Sequence, residues 1–267
     1  MNAPESRAVT EPYVLNERDV RGVITLTLNR PQQFNALSEE MMAALQAELD
    51  AVARDEQARV VIIAGRGKAF CPGHDLKQMK ASPSADYYRA LFAQCSKLML
   101  SVQRLPVPVI ARVHGIATAA GCQLVAMCDL AIAAADARFA VSGINVGLFC
   151  STPGVALSRN VGRKEAFEML VTGDFIDAAT AQARGLVNRV VPPAELDAEV
   201  ARLIASIIAK PRVAVAMGKE LFYRQLETGI EAAYQMAGQT MACNMMDAAA
   251  QEGVQAFMEK RKPNWPA

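Results

Sequence analysis

Histidine is scarce in this chain. Its 267 residues hold two, His74 and His114, and neither has acidic partners at ligand spacing. A zinc-type centre needs three or four converging donors, so no resident metal is expected. The six cysteines (Cys71, Cys95, Cys122, Cys128, Cys150 and Cys243) include no CxxC pair. They are expected as small buried hydrophobes rather than a disulfide framework. Charge of one sign is also missing: 28 Lys and Arg stand against 27 Asp and Glu, a net charge of +1. That balance argues against nucleic acid or an anionic membrane as the main partner. Apolar stretches such as "ARLIASIIA" (201–209) are too short or too interrupted by charge to span a bilayer. The opening "MNAPESRAVTEP" has no apolar run and reads as neither a secretory signal nor a transit peptide. A soluble, cytoplasmic protein is the expectation. Nucleotide fingerprints are missing as well. "GRGKAF" lacks the third glycine of a dinucleotide turn, Gly67-Lys68 is followed by alanine rather than Ser or Thr, and no GxSxG elbow occurs.

What the chain does have is apolar mass, 52% hydrophobic residues with 6% aromatic, in a length that suits one large α/β domain with a helical appendage. "GVITLTLNRP" alternates, Ile24, Leu26 and Leu28 against Thr25 and Thr27, which predicts a strand with one covered face, stopped by Pro31. Ser38 offers an N-cap with Glu39 and Glu40 behind it. Met42, Leu45, Leu49 and Val52 then follow at helical spacing, so 38–54 is an amphipathic helix. "ARVVIIAG" (58–65) reads as a strand buried on both faces.

The strand-then-helix pattern recurs. "VPVIARVHG" predicts a strand and "GCQLVAMC" a helix, and "LAIAAADARFAV" gives short strands about a turn. "RKEAFEMLVTG" is a helix closed by Gly173; "AATAQARG" is a short helix leading into the strand "LVNRVVP". Beyond about Ala194 the pattern is helical, with one long helix expected from about Ile230 to Lys262. It carries apolar residues on several faces, which implies a subunit partner. Three small-residue turns, at 67–77, 114–123 and 142–154, each follow an apolar strand. There the backbone can approach a ligand closely, and two such turns can aim N–H groups into one pocket. Tight helix–strand packing would produce the same glycines.

"RPQQFNALS", "GKAFCPGHDLKQM", "VHGIATAAGCQLVAMCDLAIA", "ARFAVSGINVG", "TGDFIDAATAQARGLVNRVV" and "EGVQAFMEKRKP" together resemble the enoyl-CoA hydratase/isomerase (crotonase) family, in order and spacing from about residue 13 to 263. The "GHDLK" form further resembles that family's enoyl-CoA hydratase domain-containing protein 3-like subgroup. The resemblance implies an α/β fold, a crotonase-type spiral of ββα units with a C-terminal helical trimerisation region. It divides the chain into a flexible tail (1–12), an acyl-CoA-binding core (13–195) and a helical region for oligomerisation and CoA-pocket closure (196–267). The implied partners are an acyl-CoA thioester and further copies of the chain, as a trimer or dimer of trimers. No cofactor is implied, coenzyme A entering only as part of the substrate. An oxyanion hole from the backbone N–H groups of His74 and Ala120 is implied, alanine standing where the family usually has glycine. Ala36, Lys68, Ala69, Asp75, Leu76, Lys77 and Lys260 fall where the family meets substrate or CoA; each lysine reads equally as a solvated surface charge.

The departures are in the acids. The family's hydratases use two glutamates to handle water; their places are taken by Gln123 and Gly143. No glutamate occurs anywhere from Gln57 to Lys164. Asp75 and Asp129 match structural positions of the family. "GLFCSTPG" carries an extra residue after Gly147, so the loop over the acyl pocket is expected to have moved. A positioned general acid or base contributes about 10²–10⁴-fold. A hydratase without both is weak, and a decarboxylase-like reaction needing no base, or binding without turnover, becomes the alternative. Gln123 can position water or substrate but cannot be the base. Both histidines fall in the pocket turns and titrate near neutrality; His74 is the catalytic candidate and His114 reads as structural, whereas Cys71 and Cys150 are expected to be inert. Restoring glutamate at both 123 and 143 is the obvious rescue.

Overall fold

A computed structural model describes residues 11–266. The expected flexible tail lies, through residue 10, outside the described residues. In chain order the elements are β1 (Val14–Arg18), β2 (Val23–Leu28), α1 (Glu39–Ala53), β3 (Val60–Gly65), α2 (Leu76–Ala81), α3 (Ala85–Arg104), β4 (Val109–Val113), β5 (Ile116–Thr118) and α4 (Ala120–Met127). There follow β6 (Leu130–Ala134), β7 (Arg138–Ala140), α5 (Ser151–Leu157), α6 (Arg163–Thr172), β8 (Ile176–Asp177), α7 (Ala178–Ala183) and β9 (Arg189–Val191). Four helices end the chain: α8 (Leu196–Ile208), α9 (Arg212–Leu226), α10 (Ile230–Met245) and α11 (Ala248–Met258).

The alternation of β2 buries Ile24, Leu26 and Leu28 while Thr25 and Thr27 stay partly open. Ser38 accepts a hydrogen bond from the Met41 amide and starts α1, whose Met42, Leu45, Leu49 and Val52 are buried. The six-stranded sheet runs β1-β2-β3-β4-β6-β9, with β1 antiparallel to β2 and the rest parallel. A smaller sheet, β5-β7-β8, stands beside it. Successive chain segments feed the two in turn: β4 and β6 go to the large sheet, while β5 and β7, which follow them, go to the small one. Each ββα unit thus winds one turn of a spiral. The strands expected around one turn in "LAIAAADARFAV" therefore belong to different sheets.

One face of the large sheet packs into the main core with α1, α3 and α4. The other face, through Val23, Val60, Ile62, Ile110 and Ile132, is covered by Leu196, Val200 and Ile204 of α8. The region from 196 onward therefore begins with a core helix rather than serving association throughout. The long C-terminal helix is also interrupted: Met246 and Asp247 separate α10 from α11, and the Asp247 carboxylate accepts from the Ala249 amide as a fresh N-cap. Sequence periodicity passed over α3, the longest helix at 20 residues, together with β1, β5, α2 and α5. Five cysteines are buried as expected; Cys243, on α10, is exposed instead.

Candidate active site

Two turns meet at the head of α4. Backbone bonds from the Cys71 amide to the Ile116 carbonyl, and from the Thr118 amide to the Cys71 carbonyl, lay the 71–74 segment alongside β5. Leu37 pairs on its far side, its amide donating to the Gly73 carbonyl. The approach is close because the side chains have been removed from it. A Cβ at Gly121 would stand 2.1 Å from the Cys71 oxygen. Gly73, at φ +99, would put one 3.1 Å from the Ala120 nitrogen. Hence the His74 amide, next in the chain, and the Ala120 amide are neighbours. Neither donates to any acceptor among the described residues. Ala120 is the first residue of α4, where the helix leaves its leading N–H groups free and positively polarised. Ala119 before it holds φ 48 and ψ −122, a conformation that strains a residue with a Cβ by about 1–3 kcal/mol.

His74 and Ala120 both line a cavity of about 670 Å³. Of the residues expected at the site, Ala36, His74, Asp75, Leu76, Lys77, Ala120 and Gly143 line it. Lys68, Ala69 and Lys260 do not: Lys68 and Lys260 are exposed elsewhere on the chain, and Ala69 is buried. Gln123 is not in the lining either. It lies three and four residues beyond Ala120 and Ala119, on the same face of α4, and is buried at 5% exposure. Its Oε1 is buried with no partner.

His74 contacts the Leu37 carbonyl through Nδ1 at 3.4 Å. A carbonyl only accepts, so this fixes the proton on Nδ1 and leaves Nε2 as an acceptor, buried without a partner. The ring meets Phe92 edge-on, and burial pushes its pKa below the ordinary 6.5, so the imidazole is neutral at pH 7. His114, by contrast, ties its turn to the Gly67 carbonyl at 2.9 Å and is structural.

Asp75 is the one carboxylate in the lining. It is committed to the backbone, accepting from the Lys77 and Gln78 amides as the N-cap of α2. The expected second rescue position is closed. A Cβ on Gly143 would lie 2.5 Å from the Leu148 carbonyl oxygen and 2.7 Å from the Cys150 sulfur. The Gly143 amide donates to that sulfur at 3.3 Å, and Gly147, in the left-handed region, turns the chain back over it. A glutamate at 143 cannot simply be restored, because the 148–150 backbone occupies its space. Burial raises the Cys150 thiol pKa and pushes that of Cys71 up to about 12, which keeps both unreactive.

Residues that sequence reasoning missed supply the walls. Gln32, Phe34, Met79, Phe92, Val146 and Phe149 all line the cavity, along with Ser142, whose hydroxyl is paired with that of Thr118 at 2.8 Å.

The enoyl-CoA hydratase/isomerase family model matches residues 18–267. The chain belongs to the enoyl-CoA hydratase/isomerase family. It is 44% identical to human mitochondrial enoyl-CoA hydratase domain-containing protein 3 over 98% of this chain and 87% of that one. The crystal structure of that human protein superposes with a TM-score of 0.91 at 45% identity, covering 95% of this chain and 100% of the other. A solved enoyl-CoA hydratase from Mycobacterium smegmatis reaches a TM-score of 0.95 at 69% identity, over 96% and 99% of the two chains. The crotonase fold and the domain-containing protein 3 likeness are thus both borne out. The cytoplasmic expectation finds no support in the human relative, which is mitochondrial by name. No described helix is long and apolar enough to cross a membrane.

Proposed function

We propose that the cavity binds an acyl-CoA thioester with its carbonyl oxygen between the N–H groups of His74 and Ala120. The observation that carries this reading is the pair of free, adjacent amides at the rim of an apolar cavity, one of them heading a helix. Negative charge that develops on the thioester oxygen would be met by donors already in place, an arrangement whose loss costs about 10²–10³-fold in comparable sites. Lys77 at the mouth suits a CoA phosphate. Lys68 and Lys260 suit one only in an assembly that brings them to a neighbouring site. Exposed Phe222, Leu226, Tyr234 and Met241 on α9 and α10 support trimers or dimers of trimers. No cofactor beyond the substrate's own CoA is required in this reading, which assigns the protein a cytoplasmic setting.

Hydration asks for more than this. Water adding to C3 must give up a proton while C2 gains one, and the site offers no free carboxylate for either transfer. The chain is therefore a poor enoyl-CoA hydratase. A second reading follows from the same amides: loss of CO₂ from a malonyl-type thioester leaves its electron pair on an enolate that they stabilise, and no base is needed. Binding without turnover is the limiting case. The test follows crotonyl-CoA and methylmalonyl-CoA consumption with butyryl-CoA calorimetry alongside. Micromolar binding with slow or absent hydration is expected; rapid crotonyl-CoA hydration, or no binding of any ester, defeats the reading.

A further inference from the structure

The two free amides at the cavity are aimed in the same way, with one difference. Gly73 precedes His74 at φ +99, and Ala119 precedes Ala120 at φ 48, so each amide follows a residue in the region that favours glycine. Only the second carries a methyl. A glycine at 119 would hold that backbone without strain, so the turn itself does not need the Cβ. Strained residues of this kind persist where their surroundings over-determine them, and they gather at ligand sites. The surroundings here are made for it: a Cβ on Gly73 would stand 2.9 Å from the Ala119 methyl, so the glycine of one turn leaves room for the methyl of the other. The backbone of Ala119 is engaged elsewhere, its amide donating to the Ala140 carbonyl and its carbonyl accepting from the Gln123 amide. Ala119 lines the cavity nonetheless, and the methyl is what it has left to present there.

Polar side chains beside the two amides leave the acyl group to be read by shape. The Thr118 and Ser142 hydroxyls hold each other, and the Asp75 carboxylate is on two amides of α2. His74 lines the cavity, but its unpaired Nε2 is itself buried and its ring lies edge-on to Phe92. The backbone angles place the methyl. At ψ −122 the Cα–Cβ bond of Ala119 nearly eclipses the bond from its carbonyl carbon to the Ala120 nitrogen. The methyl then lies about 3 Å from that nitrogen, in the peptide plane and on the side to which the N–H points. A carbonyl oxygen accepting from this N–H touches the methyl, and the thioester carbon follows one bond behind. That carbon has two further substituents: the sulfur, common to every CoA ester, and C2, where acyl groups differ. From this we infer that Ala119 is a specificity determinant, its methyl admitting acyl groups unbranched at C2 and rejecting those branched there. Among malonyl-type thioesters the same rule favours the one unsubstituted at C2. The inference rests on the acyl-CoA reading above and adds the shape of the acyl group next to the carbonyl.

Calorimetry on the full-length protein with two isomeric pairs tests it: butyryl-CoA against isobutyryl-CoA, branched at C2, and valeryl-CoA against isovaleryl-CoA, branched at C3. Isobutyryl-CoA should bind at least about tenfold more weakly than butyryl-CoA, the loss that follows when one methyl is forced into a packed contact. The C3-branched pair should differ little. In Ala119→Gly the ratio for the first pair should fall towards one. Equal affinities for that pair in the wild type overturn the inference but leave the acyl-CoA reading intact. A penalty that persists unchanged in Ala119→Gly also overturns it, the methyl then being packing alone. So does an equal penalty at C3, since the restriction is then the width of the whole cavity. Failure to bind any of the four esters overturns both readings. If Ala119→Gly does not fold, the two wild-type pairs decide.

Discussion

Two buried polar clusters in this molecule are built to opposite ends. Behind α4, Asp129 accepts from the Lys219 ammonium at 2.7 Å, the Tyr223 hydroxyl at 2.7 Å and the Val109 amide at 2.6 Å. Lys219 spends its remaining donors on the Val102 and Val107 carbonyls. Both charges are nearly removed from water, each is answered by the other, and the result pins α9 to the core. At the front of the same helix, Gln123 and His74 keep acceptors that nothing answers. A closed network holds structure together. The open one leaves acceptors unanswered, and only His74 of the two residues lines the cavity.

The comparison breaks first at the closed end. Removing one partner of a buried ion pair strands the other, at a cost of about 3–5 kcal/mol. Lys219→Met should lower the unfolding free energy by about that much in urea titration. A loss below about 1 kcal/mol would mean that the pair is solvated and that α9 is held by packing alone.

The next effect separates the two ends. Gly143→Ala drives a methyl into the Leu148 carbonyl and the Cys150 sulfur. Overpacking of this kind costs about 1–3 kcal/mol, and here it also shifts the loop that walls the cavity. Thermal unfolding and butyryl-CoA affinity should fall together; an unperturbed variant would show that the 148–150 segment yields easily and that a glutamate could be accommodated after all.

The smallest effect sharpens the open end. The folded pKa of His74 is pushed below 6.5 by burial, so the unfolded chain takes up a proton that the fold resists. The linked stability is fully present above pH 6.5 and is lost as pH falls from there through the folded value. The slope from this one group is at most about 1.4 kcal/mol per pH unit. His74→Gln should flatten the acid side of the stability curve by that contribution. An unchanged slope would mean that the imidazole protonates freely where it sits.

Much of this was legible in residue order. The run 58–65, the alternation of 23–28 and the capped repeat of 38–54 specify their elements because burial in each follows the local period. The small residues at 73 and 121 marked the meeting of two turns, and the missing glutamates were visible as absences. The C-terminal break was harder, since a run of Ala and Met has no strong period and Asp247 acts as a cap only if the chain has already turned. The walls of the cavity were harder still. Phe34, Met79, Phe92 and Phe149 come from four separate stretches, and nothing local says that they face one another.

The sequence by itself carried the family resemblance in its ordered motifs, which implied the spiral, while short-range periods marked individual strands and helices and residue identity showed that no glutamate stands at 123 or 143. Tertiary structure alone decided three further things. Asp75 is consumed by its own helix, Gly143 has no room for a side chain, and Gln123 is buried with its oxygen unpaired. Each is a matter of what lies within a few ångströms across chain separations that no local pattern encodes.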